Sequence, residues 1–300
     1  MKRWMALVCL LCCLAGACRA EEGVWYRQYW ERTIAALASD DPNPVPEAMR
    51  ISVRPDDVRS REAEQTEKDF ANVLLLSTDA PEGEPNFGRT DAMLVCRVNL
   101  QTGDTYLLSL PEGAMAEVQG VPERIALRYI NCFGGPLLAA KTINETLGLQ
   151  INRYCAVNMA AFITIVDALG GVTMDLTEGE AEALDLNAGK NQLNGLQALK
   201  YVKLRRQGDG ALRARALLEA VSRQALNGGT VNTELKLMDM LMPAIDTNMT
   251  TDDLIDLAFA LFGQETPGKM ATRGLAVKDG EMLDEEAAEM SRAFLYGKGD

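Results

Sequence analysis

The sequence predicts an α/β fold in which a mixed sheet is covered by helices on both faces. Short apolar runs typical of buried strands alternate with longer segments of helical periodicity along most of the chain. The run Asn72–Leu76 is apolar enough to form a buried strand. The segments Ala92–Leu100 and Thr105–Leu110 flank the turn sequence Gln101–Asp104, and this pattern predicts a hairpin.

Capping residues and glycines mark the ends of the predicted helices. Pro136 suits the first turn of a helix that Gly148 ends. Asn158 can cap a second helix, which ends at Gly170-Gly171. The other predicted strands are Tyr154–Val157, Val172–Leu176 and Gly274–Val277, and the predicted helices are Pro136–Leu147, Met159–Leu169, Asn194–Lys203, Ala211–Leu226, Asn232–Met242, Asp252–Phe262 and Asp284–Leu295.

The first residues, 1–20, are predicted to be a targeting segment. A positively charged start precedes an uncharged run from Trp4 to Cys18, which is short for a membrane-spanning helix and typical of a signal peptide. Two interpretations of its end stay open. Ala15-Gly16-Ala17 is a cleavage site of the A-x-A type, whereas the same small residues before Cys18 also form a bacterial lipobox, in which Cys18 carries a lipid.

The remainder is predicted to comprise a short connecting region and one large domain. Residues 24–38 have the periodicity of an amphipathic helix, and residues 39–68 form a polar, proline-rich spacer. The predicted division is 21–68 for the juxtamembrane helix and spacer and 69–300 for the domain, which has a core at about 70–230 and a helical C-terminal extension at 231–300.

The composition excludes several classes of function. A net charge of −13 opposes nucleic-acid binding, and a basic helix-turn-helix suited to transcription regulation is absent. The chain has no histidine, which excludes Ser-His-Asp and Cys-His catalysis and histidine-ligated zinc. Phosphate-binding glycine motifs are also absent. Any chemistry must therefore come from carboxylates, arginines and lysines, with a hard metal ion as an option that these residues leave open.

The cysteines of the main domain do not suggest a disulfide framework. Cys96, Cys132 and Cys155 are odd in number and lie in apolar surroundings. We therefore expect them to be small buried hydrophobic residues with free thiols.

Several motifs follow one another in a fixed order between residues 70 and 230. The motif segments are Asn72–Asp79, Gly88–Asp91, Leu108–Pro111, Phe133–Pro136, Asn158, Val166–Val172, Leu193–Tyr201, Arg205 and Arg213. In order and spacing they resemble the LytR-CpsA-Psr family of bacterial envelope proteins. The most specific parts of the resemblance are Asp167–Val172 and the Leu-Asn-Gly element Leu193–Gly195.

The resemblance implies a fold, an activity and a location. The fold is a three-layer α/β/α sandwich with a mixed central sheet and a hydrophobic lipid-binding tunnel. The activity is Mg²⁺-dependent transfer of a phosphate-linked glycopolymer, of the teichoic acid or capsule type, from a polyprenyl pyrophosphate carrier to peptidoglycan. The location is extracytoplasmic, on the outer face of the bacterial cytoplasmic membrane, with an N-terminal anchor that in this family often stays uncleaved.

The resemblance also assigns roles to individual residues. Arginine suits a pyrophosphate because its fork of donors is permanently charged, and a carboxylate-bound Mg²⁺ neutralises charge on a transferred phosphoryl group. The implied catalytic residues are Arg89, Asp91 and Asp79, the pyrophosphate ligands are Arg89, Arg205, Arg213 and Lys203, and the Mg²⁺ ligands are Asp79 and Asp91.

The chain departs from the family pattern at several positions near these residues. Lys203 replaces an arginine and keeps the charge without the planar fork. Glu112 reverses the charge of a family arginine, which disfavours a bound anion. The other departures are Pro81, Gly113, Ala216 and Leu217. Two hypotheses therefore stay open: a glycopolymer transferase, and a catalytically degenerate relative that binds polyprenyl phosphate or wall polymer without transferring it.

Overall fold

The fold is that of a computed structural model, which describes residues 33, 35–37, 44–58, 68–80, 86–204, 213, 216–217, 220, 245–264, 268–278 and 280–297. The chain divides into two compact units, Met1–Met49 and Arg50–Asp300. The predicted targeting segment, the helix Asn232–Met242 and most of the helix Ala211–Leu226 lie outside the described residues. Among the residues that are described, no helix combines the length and the apolar character needed to span a membrane.

The described strands build one large mixed sheet and two small hairpin-like pairs. They are β1 (Phe70–Thr78), β2 (Thr90–Asn99), β3 (Thr105–Leu110), β4 (Met115–Ala116), β5 (Ile125–Ala126), β6 (Arg153–Asn158), β7 (Val172–Leu176), β8 (Gly189–Leu193), β9 (Ile245–Thr247) and β10 (Met270–Gly274). The large sheet has the order β10-β3-β2-β1-β6-β9. β1 pairs antiparallel with β2 and parallel with β6. Its central position confirms the buried strand that its apolar sequence predicted.

Several of the described helices begin and end close to the predicted capping residues. They are α1 (Pro55–Val58), α2 (Leu127–Leu147), α3 (Met159–Ala168), α4 (Glu178–Leu184), α5 (Gly195–Val202), α6 (Thr251–Phe262) and α7 (Glu285–Tyr296). The predicted cap Asn158 is confirmed, because its side chain accepts a hydrogen bond from the backbone N–H of Ala161 at 2.8 Å.

Helices cover both faces of the sheet, so the predicted three-layer α/β/α sandwich is confirmed. On one face α7 packs beside α2, and Arg97 of β2 stacks on the rings of Phe70 and Tyr296. On the other face, Asp253 of α6 forms an ion pair with Arg153 of β6 at 2.6 Å. The C-terminal helix therefore completes the domain, as expected.

The helix predicted at Pro136–Leu147 begins earlier, at Leu127. The backbone of Gly134 and Gly135 is not helical, and Gly135 has a φ of +69°. These two glycines kink α2 and interrupt its apolar periodicity, which is why its first part was missed. Pro136 begins the second part, where its ring is compatible with a first helical turn.

Two other predictions about the elements were wrong or incomplete. The strand predicted at Gly274–Val277 is β10, which lies at Met270–Gly274 and pairs parallel with β3. The short elements β4, β5, α4, β8 and β9 were not predicted. β9 is an edge strand paired with β6, and a run of three residues carries too little periodicity to be recognised.

The most specific motifs meet where α3 and α5 come together. The backbone N–H of Gly195 donates to Asp167 Oδ1 at 2.7 Å. A Cβ on Gly195 would lie 2.4 Å from the carbonyl oxygen of Ile163, so only glycine permits this approach. Asn194 and Gln197 form a capping box at the start of α5. The Leu-Asn-Gly element therefore fixes α5, the helix that precedes Lys203.

Candidate functional site

The end of β1 and the start of β2 hold Asp79 and Arg89 together. The backbone N–H of Asp79 donates to the Arg89 carbonyl at 3.0 Å, and the backbone N–H of Arg89 donates to Asp79 Oδ1 at 2.6 Å. Arg89 Nε donates to Asp79 Oδ2 at 2.8 Å. One carboxylate thus receives a main-chain donor and a guanidinium donor, which fixes the direction of the Arg89 side chain.

The Asp79–Arg89 pair is largely shielded from water. The Arg89 and Asp79 side chains are only 20% and 16% exposed. Burial lowers the pKa of Arg89, but the hydrogen bond and the charge of Asp79 outweigh this effect, and the pKa is raised overall. The guanidinium is therefore a permanent cation, held more firmly than a guanidinium in an exposed surface pair.

Gly88 makes the close approach of this loop to β1 possible. A Cβ on Gly88 would lie 2.3 Å from the backbone nitrogen of Ala80 and 2.7 Å from Asp79 Oδ1. Both distances are shorter than any side chain tolerates, and one of the two groups is backbone. The glycine of the motif Gly88–Asp91 is therefore required for the Asp79–Arg89 contact.

Asn131 of α2 forms hydrogen bonds to the backbone of the same loop. Its side chain is fully buried, and its Nδ2 donates to the carbonyls of Asn86 at 3.0 Å and Gly88 at 2.7 Å. Its Oδ1 is buried and has no hydrogen-bond partner in the described part of the chain. Asn131 was missed in the sequence because its neighbours are apolar, which is typical of core. The contacts identify it as a positioning residue for Arg89.

Replacing Asn131 with leucine should weaken the functions of Arg89 without unfolding the protein. Removing the amide leaves two loop carbonyls without their donor, which costs about 1–3 kcal/mol and frees the loop to move. We expect the affinity of the folded protein for a prenyl diphosphate, the ligand that the family resemblance implies, to fall about 10-fold, because a loss of about 1.4 kcal/mol corresponds to a tenfold change in affinity. Calorimetric titration and urea unfolding measure the two quantities.

Asn144 provides the matched control for this prediction. It lies in the same helix, and its amide similarly bridges the backbone N–H and carbonyl of Ile151, at 2.8 and 2.7 Å. The Asn144→Leu variant should lose comparable stability and keep wild-type binding. Equal binding by the Asn131→Leu and Asn144→Leu variants would show that Asn131 is purely structural.

Asp91 occupies a β-bulge one residue into β2. Ser77 pairs with Ala92 and Thr78 pairs with Thr90, so Asp91 is the extra residue between these pairs. Its Oδ2 lies 3.4 Å from Lys203 Nζ. Both side chains are more than one-third exposed, so this ion pair contributes little to stability and is easily displaced. The structure therefore brings two of the predicted site residues, Asp91 and Lys203, into contact.

Arg213 lies next to the end of α5. It is buried, its Nη2 donates to the carbonyl of Leu204, and its Nε is buried without a hydrogen-bond partner among the described residues. Leu204 follows Lys203 directly, so Arg213 is adjacent to the lysine in contact with Asp91. Arg205, the remaining predicted ligand, lies outside the described residues.

The charge reversal expected from Glu112 is compensated by a neighbouring arginine. Arg128 Nη2 lies 2.7 Å from Glu112 Oε1, and the backbone N–H of Arg128 donates to the Glu112 carbonyl at 3.0 Å. An anion near this point therefore meets a neutralised pair and not a lone carboxylate. Sequence spacing gave no sign of Arg128, because it belongs to the unpredicted first part of α2.

Cys132 lies beside the site but is not a nucleophile. Its thiol is free, and burial, with a further contribution from the charge of Asp79, raises its pKa to about 12. The charges of Arg89 and Arg50 act in the opposite direction. The thiol is therefore protonated at neutral pH. Cys96 and Cys155 are also free, as predicted, and burial raises the pKa of each to about 12.

The donor set suits Mg²⁺ only if a phosphate completes it. Within the described residues, no group of three or more acidic or cysteine side chains is placed to hold a metal ion. Mg²⁺, however, is commonly bound by one or two carboxylates together with substrate phosphates and water. Asp91 is accessible, and Asp79 retains lone pairs beyond its two bonds to Arg89. Asp91 and Asp79 would therefore suit Mg²⁺ as its carboxylate ligands, with a substrate phosphate and water as the others.

Comparisons of sequence match the chain to one protein family and to relatives with a stated activity. The model of the LytR_cpsA_psr family matches residues 45–290. The chain is 29% identical over 199 residues to a protein of Oceanobacillus iheyensis named polyisoprenyl-teichoic acid–peptidoglycan teichoic acid transferase TagU, covering 63% of this chain and 62% of that relative. A protein of the same name from Enterococcus faecalis is 28% identical over 233 residues, which cover 73% and 76% of the two chains.

Comparisons of structure agree with the observed architecture. A structure described as TagT bound to LI-WTA superposes with a TM-score of 0.64 at 21% identity, covering 77% of this chain and 90% of that one. A structure of the LytR-CPS2A-psr family protein YwtF (TagT) with bound octaprenyl pyrophosphate lipid has a TM-score of 0.61, also at 21% identity, with the same coverage. At this level of identity the superpositions establish a shared fold.

Proposed function

Since the chain belongs to the LytR_cpsA_psr family, we propose that it transfers a phosphate-linked glycopolymer, of the teichoic acid or capsule type, from a polyprenyl pyrophosphate carrier to peptidoglycan. The observation that carries the proposal is the part-buried Asp79–Arg89 pair beside the bulged Asp91. A rigid guanidinium next to an accessible carboxylate is the arrangement that a diphosphate and its cation require. The names of the two sequence relatives support the same activity.

In the proposed reaction the chain positions the diphosphate and stabilises charge. The acceptor sugar hydroxyl forms a bond to the phosphorus nearest the polymer, the bond to the bridging oxygen breaks, polyprenyl phosphate leaves, and the hydroxyl proton is released. Arg89, oriented by Asp79, donates to the phosphate oxygens on which charge develops. Lys203, Arg205 and Arg213 are the proposed ligands from the other side of the substrate.

Mg²⁺ is the proposed cofactor, held by Asp91 and Asp79. When bound, it would neutralise negative charge on the diphosphate and so favour departure of polyprenyl phosphate. Asp91 is paired with Lys203, and this exposed ion pair is weak enough that a bound cation would displace the lysine.

Two partly exposed apolar side chains near the site, Val157 and Met159, support binding of the polyprenyl chain in a hydrophobic tunnel. Val157 pairs with Ser77, two residues before Asp79, and Met159 accepts a contact from Lys203 Nζ at 2.9 Å. A site that opens on such side chains suits an isoprenoid. A lipid carrier of this kind implies an extracytoplasmic enzyme on the outer face of the membrane, with residues 1–20 as signal or anchor.

A second function, binding without transfer, is favoured by one observation. Asp91 is paired with Lys203, and a lysine that stayed in place would compete with Mg²⁺ for the carboxylate. Such a protein would bind polyprenyl phosphate or wall polymer without catalysing transfer.

A transfer assay distinguishes the two functions. The full chain is incubated with a short-chain prenyl diphosphate that carries a labelled glycopolymer and with peptidoglycan, with and without Mg²⁺. We expect label on peptidoglycan and release of prenyl phosphate, both abolished by a chelator. Binding of the donor without transfer would favour the second function, and absence of binding would contradict both.

A further inference from the structure

Arg50, in a segment without a predicted site residue, stacks on the loop that carries Arg89. Its guanidinium carbon lies 4.1 Å from the centroid of the Phe87 ring. This distance is typical of a cation–π contact, which orients the guanidinium plane. Phe87 precedes Gly88 and Arg89 directly, so the aromatic ring belongs to the same loop as the guanidinium of the site.

Among the residues that the structure describes, the Arg50 guanidinium has no hydrogen-bond acceptor. Its Nε is buried and makes no hydrogen bond, and the described residues include no ion pair of Arg50. Arg97 is an instructive contrast, because it also stacks on aromatic rings but donates to Asn72 Oδ1 at 2.9 Å. A shielded donor without an acceptor is costly, so a position of this kind points to a ligand that supplies one.

Backbone contacts place Arg50 against the same part of α2 as the site. The backbone N–H of Ile51 donates to the Phe133 carbonyl at 2.6 Å. The charges of Asp79, Arg89 and Arg50 all act on the thiol of Cys132, the residue before Phe133. Arg50 and Arg89 therefore flank one short stretch of α2. Asp79 is hydrogen-bonded to Arg89, and no described carboxylate pairs with Arg50.

We propose that Arg50 is a further pyrophosphate ligand, which donates from the Arg89 side of the site to the phosphate that Arg89 does not hold. The inference rests on the proposed function and names a residue that determines the preference for diphosphate over monophosphate. A diphosphate carries negative charge on two separate phosphate groups. Two guanidinium groups match that arrangement, one from Arg89 and one from Arg50, which stacks on the loop that carries Arg89. Phe87 acts as the platform that keeps Arg50 directed at the ligand.

The test compares short-chain prenyl diphosphate with prenyl monophosphate by calorimetric titration of the full chain in the presence of Mg²⁺. The variant Arg50→Met keeps an apolar stem against Phe87 and removes the charge. We expect its affinity for the diphosphate to fall about 10-fold to 100-fold, since a hydrogen bond between charged groups is lost, while its affinity for the monophosphate changes little. Arg50→Lys should be intermediate, because it keeps the charge without the fork.

Arg54→Met is the matched control. Arg54 lies four residues further on, is exposed, and pairs with Asp57 at 3.1 Å outside the site. It should bind both ligands like the wild type. Thermal unfolding of each variant verifies that it is folded. If Arg50→Met does not fold, the comparison of the two ligands is made with Arg50→Lys.

The outcomes separate this inference from the proposed function. A selective loss of diphosphate affinity supports the role of Arg50. Wild-type affinity in Arg50→Met, or an equal loss for both ligands, would overturn it while the proposed function stands, provided that the wild type binds the diphosphate. A wild-type protein that binds neither ligand would overturn the proposed function, and the role of Arg50 with it.

Discussion

Replacing Arg89 with alanine will lower the rate of polymer transfer about 10²- to 10³-fold, the effect typical of removing one donor to the charge of a transition state. The loss should appear in kcat as well as in binding, because the guanidinium is held in place before the substrate arrives. Arg89→Lys should recover part of the rate, since it restores charge without the hydrogen bond from Nε to Asp79. Steady-state kinetics of the transfer assay measures both variants.

Arg124→Ala is the control for this prediction. Arg124 pairs with Glu117 at 3.3 Å, and both side chains are exposed, so the variant removes a paired arginine that lies outside the site. It should keep wild-type kinetics. If Arg89→Ala retained wild-type kcat and affinity while remaining folded, the assignment of the site to this loop would be wrong.

Replacing Asp91 with asparagine will abolish the stimulation of transfer by Mg²⁺. Charge neutralisation by a bound metal ion contributes several kcal/mol, so we expect a rate loss of about 10³-fold at saturating Mg²⁺. The change keeps the shape of the side chain and leaves the bulge in place. Titration of activity and of prenyl diphosphate affinity with Mg²⁺ measures the effect.

Asp175→Asn tests whether the effect is specific. Asp175 lies on β7 opposite Lys190, is exposed, and thus resembles Asp91 in having a lysine as neighbour. Its Mg²⁺ dependence should match the wild type. An Asp91→Asn variant with an unchanged Mg²⁺ response would contradict the metal assignment, and Lys203 would then be the permanent partner of Asp91.

The central strands were predictable from sequence because their burial is continuous. β1 is buried along most of its length, so its apolar middle, Asn72–Leu76, was sufficient to find it. Its polar end was not predicted, since Thr78 is buried by tertiary contacts that a local pattern does not contain. The first part of α2 was lost for a different reason: Gly134 and Gly135 break the helical phase within a single buried element.

The residue types of the candidate site were predictable from sequence, but the contacts between those residues were not. Sequence motifs pointed to Asp79, Arg89 and Asp91, and the fold places them at adjoining ends of two paired strands. The direct bond between Asp79 and Arg89, and the pairing of Asp91 with Lys203, depend on loop closure and on the position of α5. Neither is encoded in residue spacing.

The supporting residues left no recognisable signal in the sequence. Asn131 is surrounded by apolar residues in the sequence. Arg50 lies in a segment that was predicted to be a spacer because it is rich in prolines and charged residues. Both become significant through contacts with residues distant in sequence: Asn131 with Gly88, and Arg50 with Phe87. Such residues are found only when the buried donors and acceptors are accounted for one by one.

A crystal structure of the full chain with a short-chain prenyl diphosphate and Mg²⁺ is the most direct test of the account. We predict phosphate oxygens within hydrogen-bonding distance of the Arg89 and Arg50 guanidinium groups, with Mg²⁺ on Asp91 and Lys203 displaced from it. A diphosphate bound away from the ends of β1 and β2, with the Asp91–Lys203 pair intact, would contradict it.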